Sequence, residues 1–325
     1  MGETAANYPT PAERLKEVTD KLEQGVKDLF ESSRYTDYLK TMSKFHRYSC
    51  NNVLLISLQC PWATRVAGFH TWRKDFGRTV KRGEKGIRIL APCTYQTLVE
   101  RDKLDPATNL PVMGTDSRPV RETVLVRRQS FKVATVFDVS QTEGKELPSL
   151  CVGELAGDVE QYGQLSAALE ELSPVPIHYR FPFPSAAKGC YSHMEQCVYV
   201  RPHMSQVQTF KTMVHEVSHA KRHALPVENG VITGVPEKDR RTREVEAESI
   251  AYVVCQHFGV DTSDYSFGYI AGWSKGRELE ELKSSLSCIC ETAAELIDGI
   301  ESRCPDLFPK PFREESVKIN PVYQR

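Results

Sequence analysis

The sequence predicts an α+β protein in two domains. Its 325 residues exceed what a single hydrophobic core usually serves. Apolar residues recur at helical spacing in several long stretches, while shorter ones alternate or run apolar as strands do. The two halves also differ in character. The first concentrates positive charge among aromatics, and the second carries a His-Glu-x-x-His pentad in a helical stripe. The expected division is 1–142, a linker over 143–150, a second domain over 151–304 and a tail over 305–325.

Ala12 to Phe30 reads as an amphipathic helix started by Pro11, and Tyr35 to Gln59 as a second helical region. Pro61 to Pro92 is a basic, glycine-rich segment. Residues 93–130 hold two short apolar runs around the polar stretch Asp102 to Pro119, which predicts a long hairpin or insertion. Phe131 to Val139 alternates like a strand, and Thr142 to Ser149, with Gly144 and Pro148, reads as a linker. The second half opens with a helix, Asp158 to Leu172. Strands are expected at Val175 to Tyr179 and Cys197 to Arg201, with a turn-rich connection at Lys188 to His193. The run Cys197 to Val200 is the candidate free edge for an extended substrate. Ser205 to Leu225 contains no Gly or Pro, and Val207, Phe210, Val214 and Val217 give it one buried stripe. Val227 to Arg241 reads as a polar loop. Arg243 to Phe258 reads as a helix capped by Gly259. Tyr265 to Trp273 is placed to close a site, and Arg277 to Ile300 is a terminal helix.

Net charge is −1 and 40% of residues are hydrophobic, as in soluble globular proteins. No window approaches 18 consecutive apolar residues, and Met1 to Lys16 has no signal-peptide core, so the expectation is a cytoplasmic protein without membrane contact. The ten cysteines are scattered without a Cys-x-x-Cys pair, which argues against a disulfide framework. Cys288 and Cys290 diverge on a helix and read as structural.

The most specific chemical signal is His215-Glu216-Val217-Ser218-His219. Residues four apart share a helix face, so both imidazoles can point at one metal ion. Glu216 lies one position round, where a carboxylate can hold a water. On the next helix Glu244 and Glu248 run along the edge of the apolar stripe, while Glu246 points about 200° away from Glu244. Carboxylates beside a buried face need compensation. The expectation is therefore one zinc ion per chain held by His215, His219 and Glu244. Glu216 is the expected general base, and Glu248 the expected acceptor for a ring N–H of one zinc histidine. His223 extends the same series by one turn and reads as structural or solvated.

The first half carries a different signal. From Arg65 to Arg88 there are eight basic side chains against Asp75 and Glu84, a net of +6, with Trp62, Phe69, His70, Trp72 and Phe76 interleaved. A basic groove can follow phosphates while exposed aromatics stack on bases, which suits single-stranded nucleic acid. The alternative is a basic β-rich surface whose aromatics belong to the core.

His215-Glu216-x-x-His219 followed by Glu244-x-x-Ala247-Glu248 resembles gluzincin-type metallopeptidases of the ImmA/IrrE and ArdC kind. The resemblance implies the same roles for Glu216, Glu244 and Glu248. Tyr48-Ser49-Cys50-Asn51-Asn52-Val53-Leu54-Leu55, Gln59-Cys60-Pro61-Trp62-Ala63-Thr64 and Gly68-Phe69-His70-Thr71-Trp72 resemble the N-terminal domain of ArdC antirestriction proteins. So do Gly77 to Gly86, Ile89-Leu90-Ala91-Pro92 and Val136-Phe137-Asp138-Val139-Ser140-Gln141-Thr142. The implied architecture is an N-terminal α+β single-stranded DNA-binding domain and a C-terminal zincin-like metallopeptidase domain. Asn52, Trp72, Arg78, Lys81, Arg82 and Lys85 become candidate DNA contacts, with Trp72 equally open to a core role.

Three functions stay open. One is a zinc endopeptidase tethered to single-stranded DNA, with a protein or peptide substrate and an antirestriction or mobile-element transfer setting. The second is a non-catalytic single-strand-binding antirestriction protein with a structural or vestigial zinc site. The third, weaker, is a regulator released by its own peptidase domain, which would want duplex recognition that is not visible.

Overall fold

The computed structural model describes residues 10–30, 34–106, 108–115, 118–147, 159–182, 186–265 and 267–308. Cys151 and most of the expected tail lie outside these residues. The fold is mixed α+β, as expected.

Helix α1 (Pro11–Leu29) begins with a capping box. The Thr10 hydroxyl accepts the Glu13 backbone N–H at 3.2 Å, and the Glu13 carboxylate accepts the Thr10 N–H at 2.7 Å. Val18, Leu22, Val26 and Leu29 form its buried stripe. The region expected as one helical stretch is two helices, α2 (Arg34–Lys44) and α3 (Cys50–Gln59), because Ser49 caps a new start. A short strand β1 (Val66–Gly68) and helix α4 (Phe69–Lys74) lead to β2 (Arg78–Val80). The hairpin expected over 93–130 is larger than its apolar runs suggested. Strands β3 (Ile87–Asp102) and β4 (Arg121–Asp138) pair antiparallel from Ile87 with Val136 to Asp102 with Arg121. Only the base of this ribbon is buried, where Ile87, Ile89 and Val136 meet α3 and β1. Its outer part has both faces exposed or half-exposed.

Asp138 ties the base together. Its carboxylate accepts the backbone N–H groups of Thr64, Arg65 and Ser140 at 2.8–3.1 Å. Burial opposes its charge, but these donors hold its carboxyl below the usual range. Strand β5 (Thr142–Gly144) then pairs with β2, so pairing continues into the start of the expected linker.

The second half starts with α5 (Val159–Leu172). Strands β6 (Ile177–His178), β7 (Gly189–Ser192) and β8 (Cys197–Val200) form a sheet ordered β6-β8-β7. Cys197 to Val200, expected as the free edge, is therefore the central strand, and the segment read as a turn-rich connection supplies the edge. An unbroken buried run suits a strand flanked on both sides. Helix α6 (Gln206–Arg222), a hairpin of β9 (Val227–Glu228) and β10 (Val231–Ile232), α7 (Arg240–His257), α8 (Ile270–Ser274) and α9 (Leu279–Arg303) complete the chain.

The helices of the first sixty residues pack on this second half. Helix α2 lies on α7, and α1 and α3 touch α9. The Tyr35 and Ser249 hydroxyls meet at 2.8 Å in the interior, and the Phe30 ring lies 5.4 Å from that of Trp273. One buried apolar cluster runs through both halves. The nine described cysteines are free thiols, and no helix among the described residues is long and apolar enough to cross a membrane.

Candidate metal centre

Helix α6 is started by Ser205 and buries Phe210, Met213, Val214 and Val217. That burial turns His215 and His219 toward α7. Their Nε2 atoms lie 3.1 Å apart, and Glu244 Oε2 is 3.5 Å from the first and 3.7 Å from the second. A triangle with these edges has a point about 2 Å from every corner, which is the reach of zinc–nitrogen and zinc–oxygen bonds. These three side chains could hold a metal ion. The expected ligand set is thus brought together by two helices. The imidazoles of His215 and His219 facing Glu244 hold its carboxyl well below the usual carboxylate range. Burial pushes His219 down. His215 is raised, because Glu244 and Glu216 outweigh its own burial.

Glu216 is buried beside the triangle, and its Oε2 accepts the Tyr191 backbone N–H at 2.8 Å. Burial raises its carboxyl above the ordinary value. Edge strand β7 runs against it at Gly189, where an added Cβ would lie 2.9 Å from Glu216 Cγ and 2.5 Å from Thr212 Cγ2. Only glycine lets β7 and α6 approach this closely. The triangle and Glu216 open into a cleft of about 860 Å³, lined also by Lys188, Cys190, Lys211, Arg243 and Tyr265.

Glu248 is not where the sequence reading put it. Its carboxylate accepts the Tyr269 hydroxyl rather than a histidine N–H. The neighbour of His219 is His223, whose Nδ1 lies 2.9 Å from His219 Nδ1. His223 is buried, not solvated, and its Nε2 lies 2.9 Å from Glu246 Oε2. Glu246, which the helical wheel turned away from the site, is fully buried on α7. Burial works against its charge, but bonds from His223 and Lys238 keep its carboxyl below the usual range. The continuation of the 215, 219 series to 223 was the available signal for this chain.

The candidate DNA contacts separate into two groups. Asn52 is buried and bonded to β3, its amide donating to Leu90 O at 2.9 Å and accepting Leu90 N–H at 2.8 Å. Trp72 is fully buried and donates its indole N–H to Phe137 O at 2.9 Å. Arg78 bonds Thr142 Oγ1 at 2.7 Å and Thr142 O at 2.9 Å, clamping β5. Asn52 and Trp72 are framework residues whose buried side chains cannot reach a nucleic-acid strand on the surface, whereas Arg78 is half-exposed and braces residues 142–145. Lys81 donates to Ser140 O at 2.9 Å, and Lys81, Arg82 and Lys85 are all exposed. Trp62 and Phe69 are exposed aromatics of the same region, at 67% and 47%. Phe69 packs 6.2 Å from Phe137, whose ring borders Gly86, next to Lys85.

The comparisons with known proteins differ in how much of the chain they cover. The chain is 30% identical over 331 residues to an uncharacterized protein of Bacillus anthracis, across 91% of this chain and 52% of that protein. It is 26% and 24% identical to two Escherichia coli proteins named DNA primase TraC, each across 64% of this chain and across 14% and 19% of the primases. The chain thus spans about half the length of the first relative and under a fifth of the primases. Two crystal structures of the antirestriction ArdC protein from plasmid R388 are similar at low identity. The metal-free one has 18% identity and a TM-score of 0.41, covering 81% of this chain and 86% of that one. The Mn(II)-bound one has 17% and 0.43, covering 93% and 98%. Residues 11–137 match the family model of the N-terminal domain of anti-restriction factor ArdC.

Proposed function

We propose that the protein is a metal-dependent peptide hydrolase joined to a single-stranded DNA-binding domain, working in antirestriction or mobile-element transfer. The observation that carries the hydrolase reading is the convergence of His215, His219 and Glu244 donor atoms beside buried Glu216. Two imidazoles and a carboxylate suit zinc and leave room for a further ligand. A divalent metal bound there would supply Lewis acidity to a carbonyl oxygen and make a water more acidic. Glu216 takes the proton from water and returns it to the departing amine; its raised pKa favours both directions. The outer edge of β7 is not paired to another strand among the described residues. An extended peptide adding to that edge would lie across the cleft.

This placement makes Gly189 sensitive. Gly189→Ala is expected to retain metal but lose about 10²-fold in peptide hydrolysis, because the new methyl displaces Glu216 by a fraction of the distance that matters for proton transfer. Unchanged turnover with a folded variant would remove Glu216 from the reaction.

For DNA, the exposed set is Lys81, Arg82, Lys85, Trp62 and Phe69. The second reading, a non-catalytic single-strand-binding antirestriction protein, is supported by the match of residues 11–137 to the N-terminal domain of anti-restriction factor ArdC. One preparation tests both. The full chain and His215→Ala are loaded with Zn(II) or Mn(II), then assayed for bound metal, for cleavage of a peptide library by mass spectrometry and for oligo-dT binding. Metal-dependent cleavage lost in His215→Ala supports the hydrolase. Bound metal without cleavage supports the second reading. Arg82→Ala with Lys85→Ala is expected to weaken oligo-dT binding and flatten its salt slope by about 0.7 per lost phosphate contact. An unaltered slope would exclude these side chains.

A further inference from the structure

The metal-facing histidine His219 has its second nitrogen committed to a buried chain that leads away from the cleft. Nδ1 of His219 meets Nδ1 of His223 at 2.9 Å, and Nε2 of His223 meets Glu246 Oε2 at 2.9 Å. The other Glu246 oxygen accepts the Lys238 ammonium at 2.6 Å. The side chains of His223 and Glu246 are 3% and 0% exposed, so water does not share these bonds.

Donor–acceptor complementarity orients the two rings. An ionised carboxylate only accepts, so the hydrogen facing Glu246 belongs to His223 Nε2. With its Nε2 hydrogen turned to Glu246, His223 presents its Nδ1 to His219 as an acceptor. The hydrogen between the two rings then belongs to His219 Nδ1, which leaves the His219 Nε2 lone pair directed toward His215 and Glu244. We infer that His223 and Glu246 are positioning residues that lock His219 in its metal-binding tautomer, through a relay one imidazole longer than a direct carboxylate–histidine pair. The inference rests on the reading of His215, His219 and Glu244 as a metal site.

A rival use of the same groups is visible. His223, Glu246 and Cys288 have donor atoms within 4.8 Å of one another and could hold a metal ion themselves. The Lys238 ammonium occupies the cation position on Glu246, and the His223 Nε2 hydrogen is spent on the same carboxylate. A second ion would have to displace both.

The test compares His223→Leu with His223→Gln in the full chain. Leucine keeps the bulk and removes the relay. Glutamine can present its oxygen to His219 and its NH₂ to Glu246, preserving the donor–acceptor order. Zinc affinity is measured by competition with a chromophoric chelator. The expected loss is about 10- to 100-fold for His223→Leu and only a few-fold for His223→Gln. Histidine ¹⁵N NMR of the metal-free protein is a second readout, with His219 expected as the Nδ1–H tautomer in the wild type and in His223→Gln. Equal zinc affinity in folded wild type and His223→Leu overturns the relay, as does an Nε2–H His219 in the wild type. A second zinc equivalent lost with His223 also overturns it, in favour of the rival site. If wild type binds no zinc, the metal-centre reading fails, and the tautomer measurement still decides the relay. Should His223→Leu not fold, the wild-type and His223→Gln spectra suffice.

Discussion

Glu216→Gln is expected to keep a full complement of metal and to lose about 10²- to 10⁴-fold in peptide hydrolysis. The two halves of that expectation come from different atoms. Glu216 is outside the triangle formed by His215 Nε2, His219 Nε2 and Glu244 Oε2, so metal retention does not depend on its charge. Its Oε2 is an acceptor for the Tyr191 N–H, a role that the glutamine oxygen can fill. The amide therefore preserves the junction of α6 with β7 while removing the only property the reaction needs, a carboxylate able to take and return a proton. Metal content by mass spectrometry, together with cleavage of the peptide found with wild type, separates the outcomes. Survival of hydrolysis with metal bound would mean that another group is the base. Loss of metal would mean that Glu216 belongs to the coordination sphere. His215→Ala, which breaks the triangle itself, should lose both at once.

The parts of this site that could be read from the sequence are those set by local periodicity. His215 and His219 share a face because they are four apart on one helix, and no tertiary contact is needed to say so. Glu244 follows from the cost of a carboxylate beside a buried stripe. Glu248 fails for a nonlocal reason: Tyr269, twenty-one residues later, brings a hydroxyl to it. Glu246 was missed for the same kind of reason. It lies between buried Val245 and Ala247, and its partners are His223, just past the end of α6, and Lys238 rather than residues of its own turn. Sheet order is nonlocal too. The Cys197–Val200 run has the composition of a buried strand, which was the cue that it could not be the edge. The long ribbon is a milder case. Its two apolar runs announced a hairpin, but the register from Ile87 to Asp102 is set by cross-strand pairs that spacing alone does not reveal.

Trp72 shows where composition cannot decide and structure can. Aromatics interleaved with basic residues describe a stacking surface and a core equally well, and Trp72 is the core case. Trp72→Ala is expected to destabilise the protein by about 3–5 kcal/mol, from lost transfer free energy and the cavity left behind. The unpaired Phe137 carbonyl adds to the cost. Trp72 also packs 4.9 Å from the Phe76 ring, so the damage spreads along α4 toward β2. Trp72→Phe keeps most of the volume and forfeits the indole hydrogen bond, for about 1–2 kcal/mol. It should fold and bind oligo-dT within about twofold of wild type, since no base can reach a side chain with no exposed surface. The contrast with Arg82→Ala and Lys85→Ala is the informative one. Those exposed changes should lower DNA affinity and leave the urea midpoint in place, whereas Trp72→Ala should move the midpoint, with any loss of binding tracking the unfolded fraction. A Trp72→Ala protein of normal stability that no longer binds DNA would place the indole in the interface and would require α4 to open from β4 when the strand docks.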